Sequence, residues 1–278
     1  MKGITITSAH KKRISILIAA SIVLMLAGCG QNRTDMAIGM EEGQSDLNYV
    51  QSKGTLIVGI TDFAPMDYLE GEQWKGFDAE LAQAFAKSLG VTAELKQIDW
   101  DKKTELLENG TIDCIWNGMT MTEQLQRDIS CSDPYLSNAQ VIVLRNSEAE
   151  QYNTEDACQH VLFAVEAGST GESLLKEKKY RYTAYPTQLE ALQSVRKKEA
   201  DATVIDIIMA AFYTGDGKEF DDLTFHISLN DEKICVGFRK NSDLTAEANT
   251  FLHASYEDGT ISTLADTYGI SNALLKDE

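Results

Sequence analysis

The chain runs through strand-like and helix-like segments in alternation, and it does so twice. Thr55–Ile60 is an unbroken apolar run of strand length. A turn-rich stretch leads to Gly76-Phe77-Asp78, where Asp78 is placed to N-cap a helix carrying Leu81, Phe85 and Leu89 and ending at Gly90. Residues 92–98 read as a second strand, 101–109 as a short helix and 112–116 as a third strand. Another apolar run covers 141–144, followed by the polar stretch 145–151. The alternation then restarts. Residues 162–165 form a strand that enters Gly168-Ser169-Thr170-Gly171 and a helix. Pro186 opens a helix with Leu189, Leu192 and Val195 on one face, and strands follow at 202–205 and 234–238. Two closing helices follow, the first capped by Ser242 and the last ending at Gly269. Two such series predict two α/β lobes, each a mostly parallel sheet flanked by helices.

The N-terminus is of another kind. A cationic start (Lys2, Lys11, Lys12, Arg13) precedes an uncharged stretch that closes on Leu26-Ala27-Gly28-Cys29. That layout is a secretory signal ending at a cysteine, and it resembles a bacterial lipobox. The resemblance implies that residues 1–28 are a removed signal peptide, that Cys29 carries the lipid, and that 29–48 are a polar tether. The competing reading is a plain transmembrane anchor, for which the run falls short of roughly 20 residues.

Beyond the tether, about 230 residues remain, enough for one large domain or two lobes with cores of their own. The whole chain has Lys+Arg 25 against Asp+Glu 43, and four of its bases lie in the signal. So acidic a surface excludes nucleic acid as a partner and disfavours anionic headgroups. Cys114, Cys131, Cys158 and Cys235 are widely spaced, with no metal-binding pattern. An exported chain permits disulfides. However, Cys114 and Cys235 lie in apolar runs that suit buried thiols, and this is the favoured reading.

Enzyme signatures are scarce. No HExxH, GxSxG, P-loop or GxGxxG occurs, and His160, His226 and His253 stand apart from any cysteine or carboxylate cluster. The chemistry-bearing residues are small polar groups at strand ends: Asn117-Gly118-Met119-Thr120, Ser169-Thr170-Gly171 and Asp206. In open α/β sheets, ligands collect beyond the carboxyl ends of strands. Each of Thr122, Ser169 and Asp206 has a simpler reading as an N-cap. Their equivalent placement in both halves favours a cleft.

At this point the sequence resembles the polar amino-acid solute-binding proteins of ABC importers, family 3, which have the type II periplasmic-binding-protein fold. The similarity runs from about Asn48 to the end. It is carried by Gly54-Thr55-Leu56-Ile57-Val58-Gly59-Ile60, Pro65-Met66-Asp67-Tyr68, Gly76-Phe77-Asp78-Ala79-Glu80-Leu81, Ile112-Asp113-Cys114-Ile115-Trp116-Asn117-Gly118-Met119-Thr120 and Ser132-Asp133-Pro134-Tyr135. Ala167-Gly168-Ser169-Thr170-Gly171, the stretch from Glu190 to Asp206, Gly237-Phe238-Arg239-Lys240 and Asp258-Gly259-Thr260 complete it. The resemblance implies lobe 1 at 49–137 and 234–278, lobe 2 at 138–233, a two-strand hinge, and a ligand between the lobes. Phe63 and Trp100 resemble the apolar walls. Asn117, Gly118 and Thr120 resemble a polar shelf, Thr170 a carboxylate contact, and Asp206 the acid that pairs with the ligand ammonium.

There is one departure. The family places an arginine where this chain has Leu125, and Arg127 lies about 200° round a helix from it. A forked arginine–carboxylate contact is a strong anchor. Its loss puts an ordinary α-amino acid in doubt and favours an amine-bearing solute whose acid group is masked, absent or held elsewhere. Arg145 is the candidate replacement cation. The implied function is a monomeric, lipid-anchored, extracytoplasmic binding protein. It uses no cofactor or metal, has no catalytic residues, and serves a membrane ABC permease. The alternatives are a cyclohexadienyl-dehydratase-like enzyme on the same fold, or a free-standing sensor ectodomain.

Overall fold

The computed structural model describes residues 44–275. The signal, Cys29 and most of the tether lie outside the described residues.

Helix α1 (Asp46–Lys53) is capped by Ser45 and packs on β1 (Thr55–Ile60). In β1, Leu56, Val58 and Ile60 line one face and are fully buried, while Ile57 on the other face is half-buried. A small hairpin, β2 (Tyr68–Glu70) and β3 (Gln73–Lys75), leads into α2 (Phe77–Ser88). Next come β4 (Thr92–Gln97), α3 (Lys103–Glu108), β5 (Cys114–Ile115), α4 (Glu123–Asp128) and β6 (Ser130–Cys131). Strand β7 (Leu136–Asn138) leaves this half, and β8 (Gln140–Arg145) opens the next. That half continues with β9 (Leu162–Glu166), α5 (Thr170–Lys178), β10 (Arg181–Tyr185), α6 (Gln188–Arg196), β11 (Ala202–Asp206), α7 (Ile207–Tyr213) and β12 (Leu223–Ser228). The chain returns through β13 (Glu232–Ile234) to β14 (Gly237–Phe238), α8 (Leu244–Glu257) and α9 (Thr260–Tyr268).

Two five-stranded sheets result, ordered β4-β1-β5-β14-β6 and β10-β9-β11-β8-β12. Each has three parallel strands, joined through helices, and a pair of antiparallel strands at one side. The sheets are thus mixed, because β14 and β8 run against the strands they join. The two crossing segments pair with each other: β13 lies antiparallel to β7, with Glu232 opposite Asn138. This is the two-strand hinge between two α/β lobes.

The first lobe's core is aromatic. Phe85 of α2 packs on Trp116 at 5.6 Å and Phe251 at 5.5 Å between ring centroids. Phe85 and Trp116 are fully buried, and each such ring contributes about 1.5–3 kcal/mol of transfer free energy. The four cysteines among the described residues carry free thiols, and Cys114, Cys158 and Cys235 are buried.

Several local expectations are corrected. Asp78 is not an N-cap. Gly76 holds that position, and the Asp78 carboxylate turns inward to accept the Gly118 N–H at 2.6 Å and the Tyr135 hydroxyl at 2.8 Å. The strand at 112–116 shrinks to Cys114–Ile115. Helix α6 starts at Gln188 under a Thr187 cap, leaving Pro186 outside it. Helix α8 starts one residue after Asp243 rather than directly after Ser242. The sheet-edge strands β10 and β12 gave no clear pattern: β10 is largely exposed, and a bulge between Phe225 and Ile227 breaks the alternation of β12.

Candidate functional site

A cavity of about 360 Å³ opens between the lobes at the strand ends. Phe63, Trp100, Lys103, Asn117, Gly118, Thr120 and Leu125 line it from the first lobe. Gln140, Glu166, Ser169, Thr170, Gln188 and Asp206 line it from the second.

The apolar wall is built by close backbone approach. Gly118 has φ +57°, and a Cβ there would lie 2.2 Å from Phe63 Cε1. Any side chain at 118 would therefore displace the Phe63 ring and strain its own backbone. The loop presenting Phe63 is closed by its N–H donating to the Asp67 carbonyl at 2.7 Å. Asp78, under the Gly118 N–H, is pushed up to about 7 by burial.

The polar shelf is largely committed to the protein. Asn117 Oδ1 accepts the Thr61 N–H at 2.6 Å, and its Nδ2 donates to Thr61 Oγ1 at 2.9 Å. Thr120 Oγ1 donates to Glu232 Oε2 at 2.8 Å. The Gly118 N–H is held by Asp78 and is not free for a ligand. Thr170 differs: it opens α5 one residue after the Ser169 cap, and its hydroxyl has no hydrogen-bond partner among the described residues.

Asp206 occupies the N-cap position of α7 without capping it. Thr122 and Ser169 do act as caps, accepting from Leu125 and Glu172 N–H. The Asp206 carboxylate instead enters a cage of side-chain amides. Oδ1 accepts from Asn138 Nδ2 and, at 3.1 Å, from Gln140 Nε2, while Oδ2 accepts from Gln188 Nε2. Asn138 Nδ2 and Gln140 Nε2 also donate to Glu232 Oε2, at 2.8 and 3.1 Å. Two buried carboxylates thus share two amides. Burial, then repulsion from Glu232, pushes Asp206 up to about 7, against the pull of the amides. Glu166 is likewise pushed up to about 8 by burial and then by Asp206, with Lys103 opposing. A site with two buried acids, both held above the usual carboxylate range, is short of positive charge.

The chain is similar to known proteins over most of its length. The model of the bacterial extracellular solute-binding proteins, family 3, matches residues 56–271. The chain belongs to that family. The arginine-binding extracellular protein ArtP of Bacillus subtilis is 29% identical over 265 residues, covering 91% of this chain and 96% of that one. Among solved structures, the ancestral amino acid-binding protein AncCDT-1, described as a precursor of cyclohexadienyl dehydratase, superposes with a TM-score of 0.75 at 30% identity. That match covers 81% of this chain and 99% of the other. An ABC uptake transporter substrate-binding protein from Streptococcus pneumoniae with bound histidine gives 0.77 at 26% identity, over 85% of this chain and 100% of that one. The solute-binding protein thus has the type II periplasmic-binding-protein fold and an extracytoplasmic family setting. No helix among its described residues is long and apolar enough to cross a membrane.

All seven expected ligand-site positions of this solute-binding protein line the one cavity: Phe63, Trp100, Asn117, Gly118, Thr120, Thr170 and Asp206. Leu125 lines it too. Arg127 points away, 61% exposed and paired with Glu123 at 3.7 Å. Arg145 is not the replacement cation. Its guanidinium is spent on the Val195 and Ala200 carbonyls at 2.7 and 3.0 Å and on Glu148 at 2.8 Å. The cation that does line the cavity is Lys103. Sequence reading missed it, although its i+3 spacing from Trp100 was a usable signal. Glu166, at the end of β9, obeys the same strand-end rule that singled out Asp206. Gln140, Gln188, Asn138 and Glu232 gave no local signal.

Proposed function

We propose that this protein captures a small amine-bearing solute, an amino acid or a relative of one, between its lobes and delivers it to the membrane permease of an ABC importer. Lobe 1 would comprise 49–137 and 234–278, and lobe 2 would comprise 138–233. The observation that carries the reading is Asp206, a buried carboxylate held by three amides in a cavity walled by Phe63 and Trp100. A buried carboxylate of this kind discriminates for a cation, because an ammonium relieves its desolvation. Aromatic faces add cation–π attraction. The named relatives support the chemical class: one is described as arginine-binding and another holds histidine. Hinge closure about β7 and β13 would couple capture to a change of shape that a permease can read.

The test is isothermal titration of the protein with the twenty amino acids and their decarboxylated amines. Saturable one-to-one binding of at least one of them supports the reading. Silence across the whole panel would sink it. Anchoring through Cys29 is part of the same proposal. Cys29→Ala should release the protein from the membrane fraction or leave it unprocessed. Continued lipid labelling of that variant would refute the anchor.

A second reading has one observation in its favour. Glu166 and Asp206 are buried acids poised at about 8 and about 7, the range a general acid needs. A cyclohexadienyl-dehydratase-like activity would show as turnover of prephenate or arogenate, abolished in Glu166→Gln. Absence of turnover leaves binding as the function.

A further inference from the structure

Lys103 begins α3 in the first lobe and is 8% exposed. Its ammonium donates to the Trp100 carbonyl at 3.2 Å and to the Gly168 carbonyl at 2.8 Å, and stands 4.6 Å from the centroid of the Trp100 ring. Gly168 belongs to the second lobe, so this lysine bridges the two. The lobes meet too closely there for any side chain at 168. Its φ is +72°, and a Cβ would lie 2.6 Å from Asp101 Cα.

Among the described residues, Lys103 forms no ion pair. Two neutral carbonyls and an aromatic face compensate the desolvation of a buried ammonium only in part. Burial lowers it to about 8, with Glu166 the first of the acids that oppose this. Glu166 is acted on by both Lys103 and Asp206. The unpartnered Thr170 hydroxyl lines the same cavity, two residues beyond Gly168. The cavity therefore carries an acid, Asp206, held in its amide cage, and a cationic group, Lys103, on which Glu166, Asp101 and Glu172 act only from beyond ion-pair distance.

We propose that Lys103 determines specificity by holding the acid group of the solute, so that the protein selects a zwitterion with a free carboxylate over the matching amine. Leu125 contributes only apolar surface, and the charge comes from α3 instead. This inference rests on the solute-binding reading above and names its substrate class. The masked or absent acid group suggested by Leu125 is then unnecessary. The bridge to Gly168 also means that the anchor is assembled only where the lobes meet, so the carboxylate is gripped at the seam.

The experiment titrates the full chain with three matched pairs: L-arginine and agmatine, L-lysine and cadaverine, L-histidine and histamine. The unmodified protein should prefer the acid of at least one pair by about tenfold or more, the scale of one charged hydrogen bond. Lys103→Met should bring that ratio to within about threefold of unity, chiefly by loss of affinity for the acid. Lys103→Arg should keep the preference. Folding of each variant is read from its melting curve. A preference that survives in Lys103→Met overturns the proposal and leaves the solute-binding reading standing. So does an unmodified protein that favours the amines. Failure to bind any of the six compounds, or any other amino acid, overturns both.

Discussion

Asp206 stands directly opposite Gln140 in the antiparallel register of β11 and β8, and Gln140 Nε2 donates to Asp206 Oδ1 at 3.1 Å. Directly opposed residues share a face of the sheet, so strand pairing alone aims this amide at this carboxylate. The hinge pairing of β13 with β7 does the same for Glu232 and Asn138. Two registers, one in the second lobe and one in the hinge, therefore place four polar groups of the cage, and Gln188 of α6 supplies the fifth. Asp206→Asn should weaken binding of an ammonium ligand by about 1.5–3 kcal/mol, roughly 10- to 150-fold. Calorimetry reads this directly, and unchanged affinity would reduce Asp206 to a helix-start residue.

The raised acids give a pH signature to the unliganded protein. Asp206 and Glu166 ionise near 7 and 8 when folded but in the ordinary carboxylate range when unfolded. The folded state therefore binds more protons between about pH 4 and 8, and stability falls as pH rises through that window. Lys103, lowered to about 8, changes protonation above the window and does not offset this. The melting temperature should decline from pH 5 to 8, and less steeply in Asp206→Asn. Parallel slopes for the two proteins would contradict the assignment.

Binding should run the other way. An ammonium ligand needs Asp206 ionised, so affinity should weaken as pH drops below about 7, by up to about tenfold per unit. A flat profile between pH 5 and 8 would show that the carboxylate does not meet the ligand.

Gly118→Ala tests the Phe63 wall. The added methyl meets the ring at 2.2 Å and sits at φ +57°. Overpacking and strain together should cost about 1–3 kcal/mol of stability and displace the ring from the cavity. Ligand affinity should fall with it. A variant that melts and binds like the unmodified protein would mean that the ring has slack to move.

Leu125→Arg offers a rescue. Leu125 lines the cavity beside Gln124 and Thr122. In a Lys103→Met background, an arginine at 125 should restore preference for the free acid by about tenfold, since a forked guanidinium is the stronger anchor. If the double variant stays indifferent to the carboxylate, position 125 does not reach it.

The sequence by itself determined the two α/β halves, because apolar runs such as Thr55–Ile60 and spaced residues such as Leu81 and Phe85 are local periodicities. It also brought out seven of the positions that line the cavity, since strand ends and the family motifs are linear features. The tertiary structure decided what those positions do. Asp78 looked like a helix cap until the fold brought Gly118 and Tyr135, at separations of 40 and 57 residues, onto its oxygens. Asn117 looked like a ligand donor until Thr61 took both ends of its amide. Arg145 was the cation the sequence singled out, and Lys103 was passed over. Only the packing of α3 against Gly168, 65 residues away, sends one to the cavity, while α6 and its following turn retain the other. Hydrophobic patterning is read along the chain, but a polar group's partner is fixed by which distant backbone arrives within about 3 Å of it.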